Sequence, residues 1–369
     1  MTAQDMQLSG ILDSTVNFTT GAGGADNSWG VEEYANLRLK AEVGERAVFY
    51  GSFNLVAVSG NFAQRASLLG QSNPGFGQHY TAGQNYAAAM ELERLYFRIN
   101  GDYLDTEAGL LRLAFGYGNV WGSSDFLNPR NPLFPDARKR GILGTAFSIY
   151  PADDLKIALF GAAPAKPLQS GGGGIIPGIS LDRHWSKASV QALYAYQTPL
   201  SDSKLGLHRF GASLKVDSGL GFVADALYIF NPRNPGGIEG LSAGAGFDYS
   251  FYDGKFYILA EYLFNGNLSA TSPAGGGSFL NHHYLYTNFL YRFNDYASIA
   301  FPDIFCFDDL SFMPGFMVEY ELFQGMTLVL SAWMPLDRDV FTGSGRHGEM
   351  GPEKTEKYFS LDAKVRLRF

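Results

Sequence analysis

Residues 358–369 read YFSLDAKVRLRF, and their alternation decides the fold. Phe359, Leu361, Ala363, Val365, Leu367 and Phe369 share one parity, while Tyr358, Ser360, Asp362, Lys364, Arg366 and Arg368 share the other. Successive side chains of a strand point to opposite faces, so one face here is apolar and the other carries hydroxyls and charges. A sandwich strand of a soluble protein shows the same pattern. Recurrence is what separates the two.

The pattern recurs from end to end. In SGILDSTVNF (9–18), Leu12, Val16 and Phe18 alternate with Asp13, Thr15 and Asn17. In ANLRLKAEV (35–43), Ala35, Leu37, Leu39, Ala41 and Val43 oppose Asn36, Arg38, Lys40 and Glu42. LSAGAGFDYSF (241–251) sets Phe247, Tyr249 and Phe251 against Asp248 and Ser250, and KFYILAEYLF (255–264) sets Phe256, Ile258, Tyr262 and Phe264 against Lys255 and Glu261. Each such segment is about ten residues long, the length of a tilted membrane-spanning strand. The alternation breaks at 91–99, where Glu91 and Glu93 share parity with Leu95 and Phe97. A β-bulge, or a strand end standing above the membrane, is expected there.

The connectors alternate in length. VGERA (43–47), YPADD (150–154), VDSGLG (216–221), FYDGK (251–255) and LFQGM (322–326) read as tight turns. Between them lie long Gly-, Asn- and Pro-rich segments at 60–86, 119–140, 162–177, 265–280 and 335–357. Short turns at one end and long loops at the other are the asymmetry of an outer-membrane barrel. Direct counting gives roughly seventeen strands, and an even number is required for closure. A weak strand in GISLDRHWS (178–186) restores the parity. The expectation is one transmembrane antiparallel up-and-down β-barrel over residues 1–369, with about 18 strands and 16 as the alternative. Its short turns are periplasmic and its long loops extracellular.

Composition agrees. Hydrophobic residues make up 46% of the 369 and charged residues 17%, with 30 Phe, 21 Tyr and 45 Gly. That mixture disfavours disorder and helical bundles. The net charge of −8 leaves no basic stripe for nucleic acid. A single Cys, Cys306, excludes an intramolecular disulfide and a zinc site of Cys pairs. The chain lacks an apolar run long enough for a transmembrane helix, and MTAQDMQLSG does not read as a signal peptide. An exported protein would then be represented by its mature form.

A barrel of sixteen to eighteen strands leaves an aqueous lumen, which is where inward charges find water or partners. Arg38, Lys40, Arg112, Arg209, Lys215, Asp248, Glu261, Arg292, Lys364, Arg366 and Arg368 fall on inward parities. Arg38, Arg112, Arg209, Asp248, Glu261 and Arg292 are the candidates to line or narrow the pore, joined by Arg130 from the loop 119–140. Pairing across neighbouring strands is the structural alternative for each of them.

The stretch LAFGYGNVWGSSDFLNPRNPLFPD (113–136) resembles the segment after the fifth strand in outer-membrane channels related to the alginate-export porins. Those carry Gly-Arg-Gln, then Trp-Gly, then Asn-Pro. Gly116, Trp121, Gly122, Asn128 and Pro129 match, whereas Tyr117 and Gly118 stand where the family has Arg-Gln, with one residue fewer before the Trp. The resemblance implies an eighteen-stranded passive channel without carrying over polyanion selectivity. Phe369 resembles the assembly signature of outer-membrane barrels, which implies recognition by the barrel assembly machinery.

Catalytic chemistry finds little support. His282 and His283 are adjacent, so as strand residues they point to opposite faces and make a poor metal pair. No Ser at a defined spacing accompanies them. GGGG (171–174) and SPAGGGS (272–278) lack the Lys-Ser/Thr of a phosphate cradle. The acidic clusters DDL (308–310) and DRD (337–339) read as solvated loops, with divalent-cation bridging of lipopolysaccharide as the alternative. No enzyme activity, cofactor or metal is expected.

The sequence thus points to a passive diffusion channel in a Gram-negative-type outer membrane. Its partners would be lipid, lipopolysaccharide and small hydrophilic solutes. A non-transporting surface barrel is the alternative, and a hydrophobic-solute channel a third reading. Asn-Pro-Arg-Asn-Pro occurs at 128–132 and 231–235, after the fifth and eleventh strands expected to end near Gly118 and Phe230. Each Pro fixes its φ and withholds a donor, so both copies read as external strand-ending turns, the first also a candidate constriction.

Overall fold

The structure, a computed structural model, describes residues 3–21, 26–60, 79–83, 85–127, 141–163, 174–199, 206–230, 232, 240–266, 279, 281–337, 348–355 and 357–369. The strands follow the chain as β1 (Ala3–Gly21), β2 (Ser28–Val43), β3 (Ala47–Gly60), a short β4 (His79–Ala82), β5 (Tyr86–Asn100) and β6 (Leu104–Leu111). Next come β7 (Ile142–Ala152), β8 (Leu155–Ala163), β9 (Ile176–His184), β10 (Ala188–Gln197), β11 (Leu207–Ser218) and β12 (Leu220–Phe230). The last are β13 (Leu241–Phe251), β14 (Phe256–Asn265), β15 (His283–Arg292), β16 (Ala297–Cys306), β17 (Ser311–Phe323), β18 (Met326–Trp333) and β19 (Lys357–Arg368).

Every strand pairs antiparallel with its sequence neighbour, with two exceptions. β3 pairs with β5, passing over β4, and β1 pairs with β19. Eighteen strands therefore close into a ring, and β4 stands beside it, paired only with the outer end of β5. The weak strand expected at 178–186 is β9. Closure removes the open edges that lipid has no groups to satisfy.

The seam is fixed by polar side chains on the inner face. Asp13 of β1 accepts two hydrogen bonds from Arg366 of β19, at 2.8 Å each. Four residues along, Asn17 donates to Asp362 at 2.6 Å. Asp13, Thr15, Asn17 and Thr19 are all buried, while Leu12, Val16 and Phe18 between them are exposed on the outer face. Exposed apolar groups recur on the outer face around the ring, and polar groups are buried inside it, joined on β8–β16 by buried apolar side chains. Only a nonaqueous surround makes that arrangement favourable.

Aromatic residues gather where the turns are short. Tyr103, Trp185, Tyr252, Phe293, Tyr296, Phe323 and Phe369 are exposed at that end, as in the interfacial girdle of a membrane barrel.

The parity break at 91–99 is a bulge. Ser52 pairs with Arg94 and Phe53 with Leu92, so Glu93 is the extra residue. It lets Glu91, Glu93 and the following Arg94 and Tyr96 share the inner side, while Leu95, Phe97 and Ile99 return outward, exposed.

Candidate constriction site

β6 does not run to Gly118. It stops at Leu111, and residues 112–127 turn into the barrel. The outer half of β5, left without β6, is covered by β4, from Ala82 opposite Ala87 to His79 opposite Met90. Sheet pairing resumes at Gly141, whose N–H donates to the Glu93 carbonyl at 2.9 Å. The inward turn therefore leaves the wall hydrogen-bonded.

Side chains of three alternate strands hold the turned segment by its amides. Gly116 N–H donates to Gln191 Oε1 of β10 at 2.7 Å. Tyr117 and Gly118 N–H donate to the two oxygens of Asp225 on β12, at 3.0 and 2.6 Å. Asn119 and Val120 N–H share Glu261 Oε2 of β14, at 2.8 and 3.0 Å, and Trp121 N–H takes Oε1 at 2.9 Å. Hydrogen bonds to an ionised acceptor are the strong kind. Asp225 and Glu261 are 4% and 2% exposed, so few waters compete.

Glycine makes this approach possible. A Cβ on Gly118 would lie 2.5 Å from Asp225 Oδ2 and 3.1 Å from Glu261 Oε1, so any side chain would push the segment off both carboxylates. Gly116 has φ +83° and would meet Ser124 Oγ at 2.1 Å.

Apolar packing completes the docking. Phe115 and Phe126 stack at 5.8 Å and join a cluster with Phe160, Leu193, Ala195 and Leu227. Trp121 enters a second cluster with Leu263, Tyr284, Ile304, Cys306 and Met350, its indole edge-on to Phe279 at 5.0 Å. Ser124 bonds Ser213 of β11 at 2.9 Å. The segment thus lies against β8–β16 along one flank of the lumen.

A polar network covers the other flank. Glu93 accepts from Asn36 at 2.8 Å, Ser52 at 3.0 Å and Arg112 at 3.2 Å. Asn54 donates to Glu91 at 2.8 Å, and the Arg94 guanidinium lies 5.0 Å over Tyr50, which stacks on Tyr96. Arg112 is held below the ordinary arginine range by burial and then by Arg94, with Glu93 acting against them. On the loop, the Tyr117 phenol is pushed up to about 12, by burial first and then by Asp182 and Asp225.

The structure spreads the sequence candidates. Arg38 projects inward and donates to Asn36. Arg112 begins the inward turn and pairs with Glu93. Arg209 is 5% exposed beneath Phe126, bonded to Gln197 at 2.6 Å. Glu261 anchors the segment. Asp248 is half-buried on β13 beside Gly221, near the short turns. Arg292 is exposed at the short-turn end and donates to the Gly254 carbonyl, so it stands at that mouth. Arg130 and the rest of both Asn-Pro-Arg-Asn-Pro copies, apart from Pro232, lie outside the described residues. Sequence reading passed over Gln191 and Asp225, and took Glu93 only as part of a parity break. The available signal at Asp225 was a lone carboxylate between Ala224 and Ala226, at mid-strand on an inward parity.

The acidic cluster at 308–310 is bound into the rim. Asp308 accepts the amides of His282 and His283 at 2.9 and 2.7 Å. Burial acts to raise Asp309, but the amides of Glu349 and Ser311 and the Ser311 hydroxyl outweigh it and hold the carboxyl below its usual range. Cys306, Asp309 and Glu349 bring one ligand atom each within 4.8 Å of the others. Their oxygens are occupied by Asn281, Ser311, Tyr284 and the Glu349 amide, which accounts for the cluster as a brace. Asp337 is buried, and the rest of 337–339 lies outside the described residues.

No protein-family model and no curated protein sequence matches the chain. Solved structures do. OccAB1 of Acinetobacter baumannii superposes with a TM-score of 0.59 at 11% identity, over 100% of this chain and 97% of that one. OccAB4 of the same organism gives 0.57 at 10% identity, over 100% and 98%. OccK7 (OpdD) of Pseudomonas aeruginosa gives 0.55 at 9%, over 99% of each. At such identities the likeness is one of fold. Together with the apolar outer wall, it makes the chain an outer-membrane type of closed eighteen-stranded β-barrel.

Proposed function

We propose that the chain is a passive outer-membrane diffusion channel for small hydrophilic solutes, with its bore set by residues 112–127. The observation that carries this reading is the inward segment held by Gln191, Asp225 and Glu261. A purely scaffolding barrel has no use for a loop turned inward and tied along its inner wall. The resemblance to channels related to the alginate-export porins supports the same reading, because Gly116 and Trp121 are among the residues that dock the segment. On this reading Arg38, Arg112, Arg130, Asp248 and Arg292 contribute to the lumen or its mouths, while Arg209 and Glu261 lie beneath the segment that narrows it. Lipid and lipopolysaccharide surround the wall, and Phe369 engages the assembly machinery.

Single-channel recording in planar bilayers tests the reading. Discrete conductance steps are expected, with a reversal potential in a salt gradient that shifts toward cations in Arg112→Ala and in Arg130→Ala. A folded, heat-modifiable barrel that stays silent would point instead to a surface scaffold.

A further inference from the structure

We infer that Asp225 and Glu261 are positioning residues of the pore, holding the constriction only as anions, so that protonating either one releases residues 116–121. Conductance as a readout rests on the channel reading above; the placement of the segment does not.

All four carboxylate oxygens accept from the segment. Both oxygens of Asp225 face amide donors, Tyr117 N–H at Oδ1 and Gly118 N–H at Oδ2. Both oxygens of Glu261 do as well, with Trp121 at Oε1 and Asn119 and Val120 at Oε2. An ionised carboxylate only accepts, whereas a protonated one carries a donor on one oxygen. A proton on either carboxyl takes up a lone pair and removes the charge, so the hydrogen bonds its oxygens accept from the segment weaken together. Gly118 and Trp121, whose amides are among those affected, are buried, so a weakened bond there is costly.

The surroundings supply no substitute. Tyr117 of the segment faces Asp225, and Tyr257 of β14 and Tyr286 of β15 face Glu261; Asp182 of β9, Asp248 of β13 and Asp303 of β16 lie beyond these phenols, and Gln191 of β10 holds the Gly116 amide. On β11, Lys215 is paired with Asp217 at 3.3 Å, and Arg209 is bonded to Gln197. Among the described residues no cation forms an ion pair with Asp225 or Glu261. Within this group the loop amides are the main compensation for two buried negative charges. Charge and loop placement are therefore linked.

Asp225→Asn and Glu261→Gln test this, since each amide places a permanent donor where the geometry requires an acceptor. Near neutral pH the wild type is expected to give long, steady openings, and each variant about tenfold more frequent transitions, the ratio set by one lost charged hydrogen bond. The wild type should acquire the variants' behaviour on acidification, as the carboxylates take up protons. Asp154→Asn, in a short turn far from the loop, is the control. Trp121 emission in detergent, taken as the difference from Trp121→Phe, follows the segment whether or not the barrel conducts. A red shift is expected in both variants near neutral pH and in the wild type on acidification. Heat-modifiable migration of all forms verifies folding. If both variants keep wild-type emission and steady openings, or if acid moves them as it moves the wild type, the inference is overturned.

Discussion

Trp121 and Glu261 are bonded twice: the Trp121 amide donates to the Glu261 carboxylate at 2.9 Å, and its indole Nε1–H donates to the Glu261 main-chain carbonyl at 3.0 Å. One residue of the wall thus fixes both the backbone and the ring of one residue of the loop. Removing the ring empties a buried site without touching the sheet. Trp121→Ala is expected to weaken docking of the segment by about 3 kcal/mol and to leave the barrel intact. Larger and noisier single-channel conductance, at unchanged heat-modifiability, checks it.

Asp13 and Arg366 tie the first strand to the last, with side chains 6% and 20% exposed. Losing one member strands the other in a poorly hydrated site. Arg366→Met should lower stability by about 3 kcal/mol, and Asp13→Leu combined with it should recover part of the loss. Urea-induced unfolding from lipid vesicles measures both.

Glu33 presents a carboxylate on the outer wall, where it accepts from Ser14 at 2.7 Å among Leu12, Ala35 and Leu55. A charge among lipid-facing groups works against insertion. Glu33→Leu is expected to raise stability by about 1 kcal/mol in bilayers. The same unfolding assay reads the change.

Asp309 binds the described part of the last external loop through the Glu349 amide. Its carboxyl is held below the usual range in the folded state, so its contribution is complete above the unfolded value of about 3.9. That contribution is lost as pH falls through the lower folded value. Asp309→Asn should remove it at every pH. Cys306, fully buried beside it, is the probe. Maleimide labelling, normalised to the unfolded chain, should be faster in the variant near neutral pH, and the wild type should approach it only in strong acid.

The wall was legible because its pattern is local. Period two in β1, β2, β13, β14 and β19 survives intact, and the parity break at Glu93 pointed to the bulge that lies there. The constriction was only half legible. Leu113, Phe115 and Tyr117 alternate with small residues as a strand would, so the fifth strand seemed to reach Gly118. What draws these residues inward is Asp225 and Glu261, more than a hundred positions away. Arg209 shows the same limit. Its parity is readable, but Phe126 lying over it is a product of that inward turn.

The seam between β1 and β19 also governs how the molecule forms. Nearly every pairing in the ring is a hairpin between neighbours in the chain, closed at small entropic cost. The pairing of Ile11 with Arg368 through Gly21 with Lys357 brings together residues more than three hundred positions apart. Contacts of that range are the slow ones to make. Seam closure is therefore expected to be slower than hairpin pairing, which the kinetics of refolding into lipid vesicles would show. Asp13 and Arg366 act after it, so their loss should appear chiefly in the rate of opening.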